Sequence, residues 1–428
     1  MTQWRPQELV NDAARIVRAG PICDSCLGRA FGKLGHGMSN RERGRDLTSL
    51  LSTMGVERKQ GECWLCAGLF ESIPDWADRC ASLTEDVEFE SYLFGARLSP
   101  RLDAMEEFFD ERFHTGHAES LKHAFNREMG KAFEARMARG TLDTRTPHLT
   151  FVIDLPTNSI ELRILPLYIY GRYRKLIRGI PQTHWPCRSC KGKGCETCHF
   201  TGKQYPESVE ELVSGSLIEE ARAASSHLHG AGREDVDARM LGSGRPFVLE
   251  LLSPRRRSLN LSHMTDIVNR SAVDKVEVCS LRYVDAKMVA LVKETSAEKA
   301  YRARVSFEAE IGANSLMEAL NELVGQVSQR TPQRVAHRRA DLVRNRRLIE
   351  ATGRLLSPRE AELEFLGEGG LYIKELVSGD DGRTQPSLTG LLGVLSVVDR
   401  LDVVSVSSPV FPDEEDGNGN AGHRFVKS

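Results

Sequence analysis

Ala231-Gly-Arg-Glu-Asp-Val-Asp-Ala-Arg-Met-Leu-Gly-Ser-Gly-Arg-Pro-Phe247 is the stretch around which the chain is organised. It packs Asp235 and Asp237 among Arg233, Arg239 and Arg245. Gly232, Gly242 and Gly244 mark turns or places where the backbone comes close to something. A plain strand or helix has no need of this mixture. Buried carboxylates held by arginines stay ionised, the state that a nucleophile or base requires. A charged surface loop laced with ion pairs has the same composition. Composition alone leaves both readings open.

On its C-terminal side, Phe247-Val-Leu-Glu-Leu-Leu252 reads as a strand. Val276-Glu-Val278, Lys287-Met-Val-Ala-Leu-Val-Lys293 and Tyr301-Arg-Ala-Arg-Val-Ser-Phe307 continue a strand-rich domain. Gly312 to Val327 has a helical pattern, and a last helix and strand fall near 387–406. Residues 330–347 carry seven arginines, more than a solvated face needs, and arginine suits phosphate recognition. On the N-terminal side, Ser208-Val-Glu-Glu-Leu212 opens a capped helix.

Further upstream, Leu149–Asp154 and Ile160–Ile164 alternate with period two around Pro156-Thr-Asn158, the pattern of a hairpin. Leu167-Tyr-Ile-Tyr-Gly-Arg-Tyr-Arg-Lys-Leu-Ile-Arg178 interleaves tyrosines with cations. Aromatics stack on bases and cations hold phosphates, so Arg172, Tyr173, Arg174 and Lys175 form a candidate RNA contact surface. A half-buried strand with a basic outer face fits the same pattern. Residues 100–138 are helical, with a Phe and Met stripe that reads as core. Leu9, Ala13, Ile16 and Val17 share one face of an N-terminal helix that stops at Gly20-Pro21.

Eight of the ten cysteines fall into Cys-x-x-Cys pairs. Cys23/Cys26 and Cys63/Cys66 can supply two knuckles and a closed, four-thiolate structural zinc site. Cys187, Cys190, Cys195 and Cys198 form a second zinc candidate, ringed by Arg188, Lys191, Lys193 and Lys203. Those cations would stabilise thiolates and could also face RNA. The 428 residues allow two or three domains, and the net charge is −2, so nucleic-acid binding must come from local basic patches. No apolar run approaches a membrane span, and the N-terminus has no signal-peptide core, so the cytoplasm is the expected compartment.

Taken together, several pieces resemble the archaeal and eukaryotic tRNA pseudouridine synthases that act on positions 54 and 55 of the TΨC arm. They are Tyr170-Gly-Arg-Tyr-Arg-Lys175 with Pro181-Gln-Thr183, Ser208–Leu212, Gly232–Asp237 with Gly244-Arg-Pro-Phe247, Thr331-Pro-Gln-Arg-Val-Ala-His-Arg-Arg339, and Tyr372-Ile-Lys-Glu375 with Gly382-Arg-Thr384. Their order spans nearly the whole chain, and the paired N-terminal knuckles match as well. The second cysteine cluster is similar to one in archaeal members, which favours an archaeal source.

The resemblance implies an α+β chain. Residues 1–180 would be a zinc-bearing, THUMP-like RNA-binding domain, and 181–206 the second cluster and a linker. Residues 207–411 would be a catalytic domain with a central mixed or antiparallel sheet, and 412–428 a disordered tail. It implies Asp235 as catalytic nucleophile, Tyr301 as the ring stacking on the target base, and Tyr372 in substrate binding. Lys374 would be the cation paired with Asp235, with Arg233 as the alternative, because lysine does not reproduce an arginine–carboxylate fork. Arg334, Arg338 and Arg339 join the RNA-binding set. Zinc would be structural, no organic cofactor is implied, and a monomer acting on tRNA is expected. Two other classes stay in view. A THUMP-type tRNA methylase or thiolase should carry a donor-binding loop, and none is found. A non-enzymatic zinc-containing RNA-binding protein would need neither Asp235 nor Tyr301.

Overall fold

The computed structural model describes residues 4–294 and 297–407, and the expected tail at 412–428 lies outside them. The described residues form two compact units, 4–165 with 253–258, and 166–252 with 259–294 and 297–407. The division falls ahead of the tyrosine-rich stretch and not at 180, because that stretch is a strand of the second unit's sheet.

In the first unit, helix Val10–Ala19 buries the expected Ala13, Ile16 and Val17 together with Ala14, while Leu9 precedes the helix and is half-buried. Helix Asn40–Thr53 begins with a reciprocal cap: the Ser39 hydroxyl accepts from the Glu42 amide at 3.2 Å, and the Ser39 amide donates to the Glu42 carboxylate at 2.6 Å. Strands β1 (Ser91–Arg97), β2 (Thr141–Leu142), β3 (Leu149–Asp154) and β4 (Ser159–Ile164) form a sheet of order β2-β1-β3-β4. The β3–β4 hairpin is antiparallel, while β1 runs parallel to both neighbours. Residues 100–138 form two helices, Pro100–Phe113 and Leu121–Met137. Phe109, Phe125, Met129 and Phe133 of the stripe are core, whereas Phe108 is exposed. Phe94 and Phe151, opposite each other on β1 and β3, stack with ring centroids 4.8 Å apart.

The second unit is built on one mixed sheet of ten strands. They are β5 (Leu167–Lys175), β6 (Ser225–Gly230), β7 (Ala238–Leu252), β8 (Val276–Val284), β9 (Lys299–Phe307), β10 (Gly325–Arg330), β11 (Val343–Ser357), β12 (Glu360–Gly367), β13 (Thr384–Gln385) and β14 (Ser396–Val406). Their order is β13-β10-β11-β12-β9-β14-β7-β5-β8, with β6 also paired to β7. Only the β7–β14 pairing is parallel among these. Helix Val209–Ala221 starts where the Ser208 hydroxyl accepts from the Glu211 amide, and it buries Val209, Val213, Leu217 and Ala221.

Two local expectations change. Lys287–Glu294 is a helix and not a strand, since a short apolar run has no period that separates the two. The helix expected from 312 to 327 ends at Leu323, and β10 takes over at Gly325. The strand after the Asp235 loop is also longer than expected. It begins at Ala238, pairs with β14, leaves register, and then pairs with β5. Gly242 makes that step possible. Its φ is +54°, and a Cβ there would sit 1.9 Å from the Val404 carbonyl oxygen.

Candidate active site

The loop between β6 and β7 sends successive carboxylates opposite ways. Glu234 points into the protein, and Asp235 faces a cavity of about 450 Å³. That volume lies within the range of small-ligand pockets, about 300–1,000 Å³.

Beneath the loop, the Glu234 and Arg245 side chains are 0% and 1% exposed and form an ion pair at 2.7 Å. The Tyr173 hydroxyl donates to Glu234 at 2.9 Å and accepts from Gln182 at 2.8 Å. Gln182 also donates to the Gly232 carbonyl at 3.0 Å, and Arg245 to the Ala231 carbonyl at 2.6 Å. Lys175 reaches the carbonyls of Ile180, Asp235 and Val236 at 3.0, 3.1 and 3.2 Å. The bonds to the carbonyls of Ala231, Gly232, Asp235 and Val236 hold the loop backbone on both sides of the Asp235 side chain. Burial pushes the Tyr173 hydroxyl well above its ordinary value and lowers the Lys175 ammonium. Burial also opposes the Arg245 charge, but Glu234 outweighs it and the guanidinium is raised.

This corrects the tyrosine–arginine surface. Tyr173 and Lys175 are fully buried and pin the loop from below, so neither meets RNA. Arg172 is spent on the carbonyls of Ser243, Gly244 and Val406 at 2.6, 2.8 and 2.7 Å, which tie the irregular part of β7 to its neighbours. Arg174 alone of the four is exposed, and it pairs with Glu277 at 2.5 Å. Arg239 forms a fork with Asp402 at 2.9 and 2.7 Å.

On the cavity side, the cation nearest Asp235 is Arg334. Its NH1 lies 3.0 and 2.9 Å from the two carboxylate oxygens, and its Nε donates to Glu375 at 2.6 Å. Glu375 is nearly buried, whereas the Asp235 side chain keeps 30% of its exposure. The guanidinium is thus strung between a fixed acid and the open one. Lys374, the expected partner, bonds to Asp237 at 2.6 Å and stands 3.8 Å from Asp235. Burial opposes the charge on Asp237, but the Lys374 bond prevails and lowers its carboxyl. Arg334 therefore stands closer to Asp235 than the expected Lys374 does, gripping it through one nitrogen, and it leaves the RNA-phosphate set.

Tyr301 and Lys299, two residues apart on β9, form one wall. Burial pushes the Tyr301 hydroxyl up to about 12 and, with Arg245 nearby, brings Lys299 down to about 8. Tyr372 forms another wall. Gln329 clamps its backbone with bonds of 2.8 and 2.9 Å, and its hydroxyl accepts from Arg339 at 3.0 Å. Arg233 and Arg339 line the rim. The side chain of Arg338 lies outside the described residues. Asp235, Arg233, Tyr301, Tyr372, Lys374, Arg334 and Arg339, singled out from different parts of the sequence, thus share one cavity. Sequence reasoning missed Glu234, Gln182, Lys299 and Glu375. Glu234, Gln182 and Glu375 lay inside the stretches that carry the family resemblance, whereas Lys299 carried no signal.

The arginine bridge between Asp235 and Glu375 has a testable consequence. Arg334→Lys keeps a charge but not both arms, so kcat should fall at least about tenfold with KM little changed. Steady-state kinetics checks this, and an unaltered kcat would mean that the bridging arginine does not serve the reaction.

Both cysteine groups are assembled. In each, the four sulfurs lie within 4.8 Å of one another, and none is in a disulfide. Cys23 and Cys66 sulfurs are 3.7 Å apart, and those of Cys195 and Cys198 also 3.7 Å. A tetrahedral zinc with ~2.3 Å bonds sets sulfurs about 3.8 Å apart, so both groups fit a metal. In the second group, the Gly194 and Gly202 amides donate to the sulfurs of Cys190 and Cys198 at 3.2 Å each.

Residues 168–407 match the family model described as Pus10, C-terminal, and residues 76–154 the one described as Pus10 THUMP domain, archaeal. The expected THUMP module is therefore present, over a narrower span than 1–180. The chain is similar to the tRNA pseudouridine synthase Pus10 of Methanothrix thermoacetophila, 44% identical over 428 residues, covering 93% of this chain and 94% of that one. It is also similar to the tRNA pseudouridine synthase Pus10 of Archaeoglobus fulgidus, 45% identical over 346 residues, covering 81% and 95%. Among solved structures, one titled as a Cbf5-Nop10-Gar1 complex matches 46% of this chain and 45% of its own at 16% identity and a TM-score of 0.30, a likeness too weak to carry an argument. The matched models and the relatives aligned along nearly their whole length place this chain in the Pus10 family of tRNA pseudouridine synthases, which are isomerases.

Proposed function

We propose that the chain converts uridine to pseudouridine in the TΨC arm of tRNA, at position 54, position 55 or both, with Asp235 as the reacting carboxylate. The observation that carries this reading is the Asp235 carboxylate, open to the cavity and gripped by Arg334 at 2.9–3.0 Å, with Tyr301 in the same cavity wall. The relatives' printed names supply tRNA as the substrate class.

The reaction breaks the N1–C1′ bond, turns the freed uracil and joins C5 to C1′, while C5 gives up its proton and N1 takes one on. No atom or electron is gained, so no redox partner enters. Positive character develops at C1′, and a carboxylate beside it stabilises that charge. Asp235 either attacks C1′ or removes the 2′ proton. The base must leave a folded arm, at a cost of a few kcal/mol. Stacking on Tyr301 offsets part of this, at ~1–3 kcal/mol per base–aromatic stack. Tyr372 is assigned to substrate binding, while Arg233 and Arg339 suit flanking phosphates. Arg334 positions Asp235, and Lys374 steadies Asp237.

Incubating the chain with unmodified tRNA transcript and mapping pseudouridine tests the reading. Product at either position supports it, and uridine retained at both would overturn it. We assign this action to the cytoplasm of an archaeon and to a monomer. Among the described residues, no helix is long and apolar enough to cross a membrane.

Both cysteine groups are assigned to zinc, which when bound would join the knuckles at 23–26 and 63–66, close the loop at 187–198 on itself, and take no part in bond making. Metal counting on the whole protein should then give two ions per chain, and one after Cys195→Ser. An unchanged count in that variant would remove the second site.

A further inference from the structure

We infer that the cysteine knuckle at residues 186–203 is a tRNA-contacting element, with Phe200 stacking on an unpaired base and Arg188, Lys191 and Lys193 holding the neighbouring phosphates. This rests on tRNA being the substrate.

The first observation is Phe200 itself. It is 74% exposed, more than any other large apolar side chain among the described residues. Its place is not that of a frayed tip. The Phe200 amide donates to the Cys195 carbonyl at 2.8 Å, and the Cys187 amide donates to the Gly202 carbonyl at 2.6 Å. A Cβ on Gly202 would lie 2.5 Å from the Gly192 carbonyl oxygen, so the loop is folded tightly on itself. Within it, His199 and Phe200 both adopt left-handed backbone, at φ +50° and +60°. A bulky ring held in strained left-handed backbone within a tightly folded loop, and turned to water, suits a ligand contact.

The second observation is charge. The knuckle carries Arg188, Lys191, Lys193 and Lys203 against Glu196, in a chain whose net charge is −2. Lys203 is committed to Glu211. Arg188, Lys191 and Lys193 are exposed, and none forms an ion pair among the described residues. An aromatic platform among unpaired cations is the composition that binds single-stranded nucleic acid. Apolar protein partners do not call for three free cations, so RNA is favoured over a protein surface.

The experiment compares full-length wild type, Phe200→Ala, Phe200→Tyr and Lys191→Ala/Lys193→Ala for tRNA affinity across a salt series. Metal content and thermal unfolding confirm that each variant keeps the knuckle. Phe200→Ala should weaken binding by about 5- to 150-fold, the range of one base–aromatic stack, and Phe200→Tyr should restore it. The double lysine change should reduce the salt slope by about 1.4, at ~0.7 per single-strand phosphate contact. If Phe200→Ala binds as wild type does, the stacking assignment is overturned. If the salt slope also stays unchanged, the knuckle does not meet tRNA and its partner is a protein or none. A wild type that binds no tRNA would sink the reading of function itself, an outcome distinct from either.

Discussion

Asp235→Asn should abolish isomerisation while leaving tRNA binding intact. The asparagine fills the same space and can still accept a bond from Arg334. It supplies neither a nucleophilic oxygen for C1′ nor a base for the 2′ proton. Loss of a reacting group of this kind costs kcat at least about 10³-fold. The scaffold should not notice, because the Asp235 side chain is partly exposed and the loop is held by other groups. Pseudouridine mapping and a tRNA-binding assay on one preparation separate the two effects. Pseudouridine formed at the wild-type rate would remove Asp235 from the reaction, whatever its position in the cavity.

Glu234 should behave in the opposite way, as a residue of the scaffold. Glu234→Ala leaves Arg245 charged, 1% exposed and without its carboxylate. Breaking a buried pair from one side costs about 3–5 kcal/mol, read as a lower denaturant midpoint. Replacing both partners, as Glu234→Leu with Arg245→Met, removes the uncompensated charge and should recover most of that loss. Activity should not recover with it. Arg245 also holds the Ala231 carbonyl at the start of the loop, and a thioether cannot donate that bond. The double variant should therefore be stable yet slow, by at least about tenfold in kcat. A double variant with full activity would show that the buried pair serves stability alone.

Much of this was legible along the chain wherever the cause was local. Ser208 three residues before Glu211 announces a helix, since the hydroxyl satisfies an amide that the helix leaves free. The hairpin of β3 and β4 follows from period-two alternation on either side of a turn. Cysteine spacing suggests each knuckle, because two thiolates three residues apart can hold one ion. The failures share a different cause. Tyr173 and Lys175 look like an RNA surface by residue type, yet their alternation on β5 puts both beneath the loop. Lys374 stands beside a tyrosine in the right motif, but its ammonium meets Asp237 first.

By itself, the sequence determined which residues compete for the chemistry: two aspartates, a set of arginines, two tyrosines and a lysine. Through family likeness it also put Asp235 forward as the reacting group. Only the tertiary structure decided their partners. Arg334 and Asp235 are separated by 99 positions in the chain, and no local period or spacing encodes a contact at that range. The two acids of Glu234-Asp235 differ for the same reason. Identical in charge and adjacent in sequence, they are divided by which side of the loop Lys175, Gln182 and Arg245 support, leaving one buried in an ion pair and the other open to the cavity.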